Sequence, residues 1–220
     1  MQNKFHVLWP IFIGELFNDK HEEIKLDLIS FFKEYENNNP EGRGKSHLKS
    51  TENYNLYESK YNLHQETNES LKKIFNFIAQ GFATTSNQIN KKHVENLENI
   101  KPNFRVNFKN SWFIRYNKGG AVMPHDHGLC SLSCVYYVQI GNDAKKDNGS
   151  TYFVRPYHRG STHGSFSGKN YENGATSKFI PREGGLLVWP SFLMHGSVPY
   201  NGTDDRIIIS ANADVEIEQK

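Results

Sequence analysis

Hydrophobic and polar positions divide the chain into two halves of different period. Near the N-terminus, residues 5–13 form a short apolar run suited to a strand, with Pro10 confining it to an edge or interrupting it. Ile24, Leu28, Phe31, Phe32 and Tyr35 then recur at helical spacing, and Asp19 followed by Glu22 resembles a capping box, so a helix is predicted over about 20–36. The run from Asn37 to Gly42 ends it. Residues 41–65 are polar, with a short strand expected near Tyr54, Asn55 and Leu56. A second helix is predicted over about 67–82, capped by Thr67 or Asn68, with Leu71, Ile74, Phe75, Ile78 and Phe82 inward and a continuation toward 100. From about residue 103 the period changes to two. Strands are predicted at Phe104–Phe108, Ser111–Tyr116, Leu132–Ile140, Ser150–Val154, Leu186–Pro190, around His195, and from Arg206 to Asn212. Turn signals at Asn117–Gly120, Asn148–Gly149 and Asn201–Gly202 separate them. Residues 155–178, rich in Gly, Ser, Asn and His, are expected to be one long mobile loop.

Two helices followed by many short strands predict a mainly β (α+β) fold, a jelly roll or double-stranded β-helix of cupin-like type with the N-terminal helices packed on one sheet. The expected organisation is one domain over 1–220, with helical support over about 1–102 and the β-helix core over about 103–216. A length of 220 residues suits that, and is enough to bury a sizeable core.

Charge narrows the function classes. The 26 basic and 24 acidic residues are well mixed and leave a net charge of only +2, which argues against a dedicated nucleic-acid binder. No apolar run approaches the roughly 18 residues that span a bilayer. No secretory signal is evident at the N-terminus, and a cytoplasmic location is the expectation. Cys130 and Cys134 are the only cysteines, and their spacing suits reduced, partly buried thiols better than a zinc pair or a disulfide.

The candidate chemistry sits in Met123-Pro124-His125-Asp126-His127-Gly128. In an extended chain His125 and His127 share a face and Asp126 points the opposite way. Two neighbouring imidazoles can hold adjacent positions of a metal. His195, after an apolar run and a Trp-Pro turn, is the candidate third ligand. Arg206 opens the Ile207-Ile208-Ile209 run and, beside a metal, would clamp a carboxylate in bidentate fashion. Against this stand accidental placement, since the chain has ten histidines, and a surface ion pair of Arg206 with Asp204 or Asp205.

Taken in order, several segments resemble the Fe(II)- and 2-oxoglutarate-dependent oxygenases, above all the prolyl-hydroxylase-like branch and a small bacterial and phage group with a His-x-His motif. They are Tyr116-x-x-Gly119 before the His pair, the Cys134-Val135-Tyr136-Tyr137-Val138 strand, Asn148-Gly149-Ser150-Thr151-Tyr152-Phe153, His195, and Arg206 with Ser210. The resemblance implies a double-stranded β-helix with iron at its open end, held by His125, His127 and His195. It implies that 2-oxoglutarate chelates the metal and gives its distal carboxylate to Arg206. Tyr137 would donate a hydrogen bond to that carboxylate, Tyr116 would lie near the metal end of the co-substrate, and Ser210 would lie close by. The implied reaction consumes O2, converts 2-oxoglutarate to succinate and CO2, and hydroxylates a C–H bond of a peptidyl residue such as proline, or of a small molecule.

The chain departs from the usual two-histidine, one-carboxylate triad by carrying His127 in the carboxylate position. Asp126 is then left to orient a ligand imidazole or, through a strand bulge, to turn onto the metal. A three-histidine zinc or nickel protein, acting as a hydrolase or sensor, is the competing class. Tyr157, His158, Arg159 and His163 are further candidate substrate contacts, in a loop expected to act as a lid, and a nucleobase substrate is disfavoured by the modest charge.

Overall fold

The computed structural model describes residues 10–44, 55–91, 103–156 and 176–218. Their elements, in chain order, are β1 (Gly14–Phe17), α1 (His21–Asn38), β2 (Leu56–Glu58), α2 (Glu69–Ile89), β3 (Asn103–Tyr116), β4 (Leu132–Gln139), β5 (Thr151–Val154), β6 (Thr176–Phe179), β7 (Gly185–Pro190), β8 (His195–Ser197) and β9 (Arg206–Glu218). Six strands form one antiparallel sheet in the order β1-β7-β4-β9-β3-β2, and β6-β5-β8 form a smaller second sheet. This is the double-stranded β-helix, with both helices laid on the outer face of the larger sheet.

The alternation of side chains decides what faces what. On β9, Ile207, Ile209, Ala211 and Ala213 pack toward Ile24, Leu28 and Phe32 of α1 and Leu71, Ile74, Ile78 and Phe82 of α2. The intervening residue Ile208 packs on the other side with Trp112, Ile114, Tyr116, Val135, Tyr137, Leu187 and Trp189, between the two sheets. A sheet covered on both faces explains why Ile207-Ile208-Ile209 and the β4 run are apolar without alternation. Leu28, Leu71, Ile74, Ile78 and Phe82 are wholly buried, and burying each such side chain stabilises the fold by roughly 1.5–3 kcal/mol.

The predicted strands 104–108 and 111–116 are one strand, β3, with a bulge between Phe108 and Asn110. The extra residue reverses the parity. Val106 and Phe108 face the helices before it, whereas Trp112, Ile114 and Tyr116 face the space between the sheets after it.

Other expectations shift at their edges. Residues 1–9 lie outside the described residues, Pro10 to Ile13 form no strand, and the strand that exists is β1, paired at the sheet edge with β7. Helix α1 is preceded by Lys20 with no side-chain cap, so the Asp19 box does not form. Asn68 does cap α2, accepting from the Leu71 backbone N–H at 2.9 Å, and the helix runs on to Ile89. Of the expected loop over 155–178, the last residues are strand β6, and 157–175, with Tyr157, His158, Arg159 and His163, lie outside the described residues. Cys130 and Cys134 are both free thiols, and burial pushes the Cys134 thiol up. No described helix is long and apolar enough to cross a membrane.

Candidate metal centre

After β3 the chain turns at Gly119, whose φ of 87° an L side chain rarely adopts, and runs extended past the two histidines. This stretch is not a ladder strand. It is held by two isolated bridges, Gly120 with Tyr200 and His125 with His195, the latter pair exchanging backbone hydrogen bonds of 2.9 Å in both directions, and by His127 N–H donating to the Ser191 carbonyl at 2.9 Å. His195 opens β8, where it pairs with Phe153 of β5. The ring centroids stand 4.4 Å apart for His125 and His195, 4.9 Å for His125 and His127, and 5.0 Å for His127 and His195. A ring nitrogen from each of the three lies within 4.8 Å of the other two.

Backbone carbonyls set two of the tautomers. His125 Nδ1 lies 2.8 Å from the Met123 carbonyl and His195 Nδ1 lies 3.0 Å from the Leu193 carbonyl. A carbonyl only accepts, so each Nδ1 carries the proton and Nε2 keeps the lone pair a metal needs. Around the rings stand Trp112, 5.7 Å from His127, and Trp189, edge-on to His195 at 4.6 Å.

Arg206 occupies the other end. It is 1% exposed, with its guanidinium carbon 4.4 Å from the Tyr116 ring centre and 5.7 Å from that of Tyr137. None of its three side-chain nitrogens has a hydrogen-bond acceptor among the described residues. The surface ion pair with Asp205 does not form, because that carboxylate lies 3.4 Å from Arg115 instead. Room for the arginine depends on Gly149, where an added Cβ would meet Arg206 Cδ at 3.2 Å and Tyr200 at 3.0 Å.

One cavity is lined by all three histidines, Arg206, Tyr116 and Ser210, together with Trp112, Trp189 and Thr151. Tyr137 stands behind that wall. Its hydroxyl is bonded to Thr151 Oγ1 at 2.6 Å, and burial, partly offset by Arg206, pushes its pKa up to about 12. Thr151, which the sequence pattern did not single out as a site residue, puts a hydroxyl on the lining beside those of Tyr116, Ser197 and Ser210. Tyr116 lies at the arginine end, paired across the sheet with Arg206, and not at the metal end as expected. Burial also pushes the Tyr116 hydroxyl up, against the pull of Arg206. Asp126 is exposed, and among the described residues the imidazole nitrogens shown with partners face Met123, Leu193 and Asn212 rather than Asp126. Asn212, also unforeseen, reaches His127.

This set fits a dication and an anionic co-substrate. Three neutral imidazoles can hold the metal, and a buried, unpaired guanidinium is a site for a carboxylate.

Residues 110–212 match the model of a family described as "Putative 2OG-Fe(II) oxygenase". No curated protein sequence matches the chain. Among solved structures, AviO1 from Streptomyces viridochromogenes Tue57 superposes with a TM-score of 0.60 at 15% identity, over 92% of this chain and 89% of that one. A prolyl-4-hydroxylase from Pseudomonas putida gives 0.57 at 13% identity, over 92% and 91%. A Trichoplax adhaerens prolyl hydroxylase, solved with a hypoxia inducible factor peptide fragment, gives 0.53 at 12%, over 92% and 82%. At such identities the structural likeness carries the fold alone, and the matched segment holds every lining residue named above. Residues 110–212 are thus similar to the 2OG-Fe(II) oxygenases, and the chain shares its fold with solved proteins of that kind.

Proposed function

We propose that the protein is a dioxygenase that hydroxylates a C–H bond of a prime substrate while 2-oxoglutarate is converted to succinate and CO2. His125, His127 and His195 would hold the iron, and Arg206 would take the distal carboxylate of 2-oxoglutarate. Iron held there would supply the oxidising chemistry.

The chain's own residues have three tasks. The Met123 and Leu193 carbonyls keep two imidazoles in the metal-binding tautomer. The Arg206 fork offers paired N–H donors to a carboxylate, flanked by the Thr151 hydroxyl, which Tyr137 orients, and with Tyr116 stacked on the guanidinium. Trp112, Ile114, Val135, Trp189 and Ile208 make the remaining wall apolar, which keeps water from the reacting groups. Ser210 lies on the same face of β9, between the two ends.

The observation that carries this reading is the buried guanidinium without an acceptor, in the same cavity as three converging imidazoles. An uncompensated buried cation costs several kcal/mol, and a hydrolase with a three-histidine zinc or nickel site has no need of a carboxylate clamp at that place. The prime substrate is proposed as a peptidyl residue such as proline, or a small molecule. Peptide accords with the Trichoplax relative, while HygX, a further structural neighbour at 12% identity, was solved with hygromycin B. A single domain over 1–220 in the cytoplasm completes the proposal. The test is anaerobic reconstitution with Fe(II), then addition of O2 and 2-oxoglutarate. Succinate release that needs both Fe(II) and Arg206 supports it, and hydrolytic turnover with zinc in place of iron would overturn it.

A further inference from the structure

At the third imidazole a side chain stands where carbonyls stand for the other two. His127 Nδ1 faces the side chain of Asn212 at 3.4 Å. Asn212 is 3% exposed and lies on the inward face of β9, directly opposite Asn110 of β3, whose Oδ1 is 2.6 Å from Asn212 Nδ2. The bulge after Phe108 is what brings Asn110 to that position. Asn212 directs its amide nitrogen at His127, while its buried Oδ1 has no donor among the described residues. The oxygen and nitrogen of an amide are told apart only by their partners. With the amide nitrogen toward Nδ1, the ring would have to carry its proton on Nε2, which removes the lone pair that the other two histidines keep for a metal.

We infer that Asn212 is the positioning residue of His127: its amide is turned so that the carbonyl oxygen accepts from His127 Nδ1–H, with the Asn110 amide turned in step to donate to the same oxygen. Oδ1 then gains two donors, and all three imidazoles present Nε2. The β3 bulge thereby ties the geometry of the third ligand to the sheet. Asn212 thus takes the part that the sequence offered to Asp126. This inference rests on the proposed reading of His127 as a metal ligand.

The experiment is titration of the metal-free protein with Co(II), read by its visible absorption, for wild type, Asn212→Leu, Asn212→Asp and His127→Ala, with thermal melts of each. Leu keeps the volume and removes the acceptor. Asp keeps an acceptor. The expected result is a 10–100-fold weaker Co(II) affinity for Asn212→Leu, in the range found when an outer partner of a ligand histidine is lost, and an affinity at or above wild type for Asn212→Asp. Wild-type affinity in Asn212→Leu, or an equal loss in Asn212→Asp, would overturn the inference. Should Asn212→Leu not fold, Asn110→Ala is expected to weaken Co(II) severalfold, and no change there would count against it. Wild-type affinity in His127→Ala would instead sink the ligand assignment itself.

Discussion

His125 and His195 are joined by two backbone hydrogen bonds of 2.9 Å, one in each direction, although most of the β-helix core separates them in sequence. Backbone pairing thus sets the spacing of two imidazoles before any metal arrives, and their Nδ1 atoms are already committed to carbonyls. A centre prepared in this way should lose function sharply when one member is removed. His125→Ala, His127→Ala and His195→Ala are each expected to weaken Fe(II) or Co(II) binding by more than about 100-fold, beyond the loss typical of an outer partner. Calorimetric or absorbance titration of metal-free protein checks it.

Arg206 makes a stability prediction with an unusual sign. Its charge is buried and has no acceptor among the described residues, so Arg206→Met is expected to leave the co-substrate-free protein at least as stable as wild type. In wild type, 2-oxoglutarate at about 100 times its Kd should add about 2.7 kcal/mol, a rise in Tm of about 5–10 °C for a chain of this size. Arg206→Met should show no such rise, and Arg206→Lys only part of it, because an ammonium lacks the planar fork. Differential scanning with and without 2-oxoglutarate and Mn(II) reads both effects.

Gly196 follows His195 on β8, where an added Cβ would meet the Tyr152 hydroxyl at 2.7 Å and the Val122 carbonyl at 2.9 Å. Gly196→Ala is expected to push β8 away from its neighbours at a cost of about 1–3 kcal/mol and to weaken metal binding through the displaced imidazole. A Tm loss with unchanged Co(II) affinity would show that β8 yields without moving His195.

Glu36 couples helix α1 to the arginine end of the sheet. Burial pushes its carboxyl up, but hydrogen bonds and charge from Arg115, at 2.6 Å and 2.7 Å, and from Arg43, at 3.0 Å, outweigh it and hold the group below the usual carboxylate value. A carboxyl lowered in the folded state contributes stability above its unfolded pKa of about 4.3, and that contribution is lost as pH falls through the folded value. Glu36→Gln should therefore cost about 1.5–3 kcal/mol at pH 7, with the gap to wild type closing below about pH 4. Urea melts across that range measure it.

Much of the site was legible in short-range pattern. His-x-His on an extended segment has its rings on one side, whatever the fold, because side chains alternate. Arg206 leads an apolar run, and alternation alone places it, Ile208 and Ser210 on one face of β9 and Ile207 and Ile209 on the other. Period changes likewise marked both helices and the β half. Pairing was out of reach. Nothing local says that β9 lies between β3 and β4, that a bulge at Lys109 reverses the parity of β3, or that Tyr137 gives its hydroxyl to Thr151 and leaves the cavity wall to it. Asp126 and Asn212 show the difference most clearly. Adjacency made the aspartate the obvious partner for an imidazole, yet the same alternation turns it to solvent, and the amide that reaches His127 comes from a strand far along the chain. Residue type and period are written in the sequence because they act over a few bonds; which distant side chains meet is decided only when strand register closes the barrel.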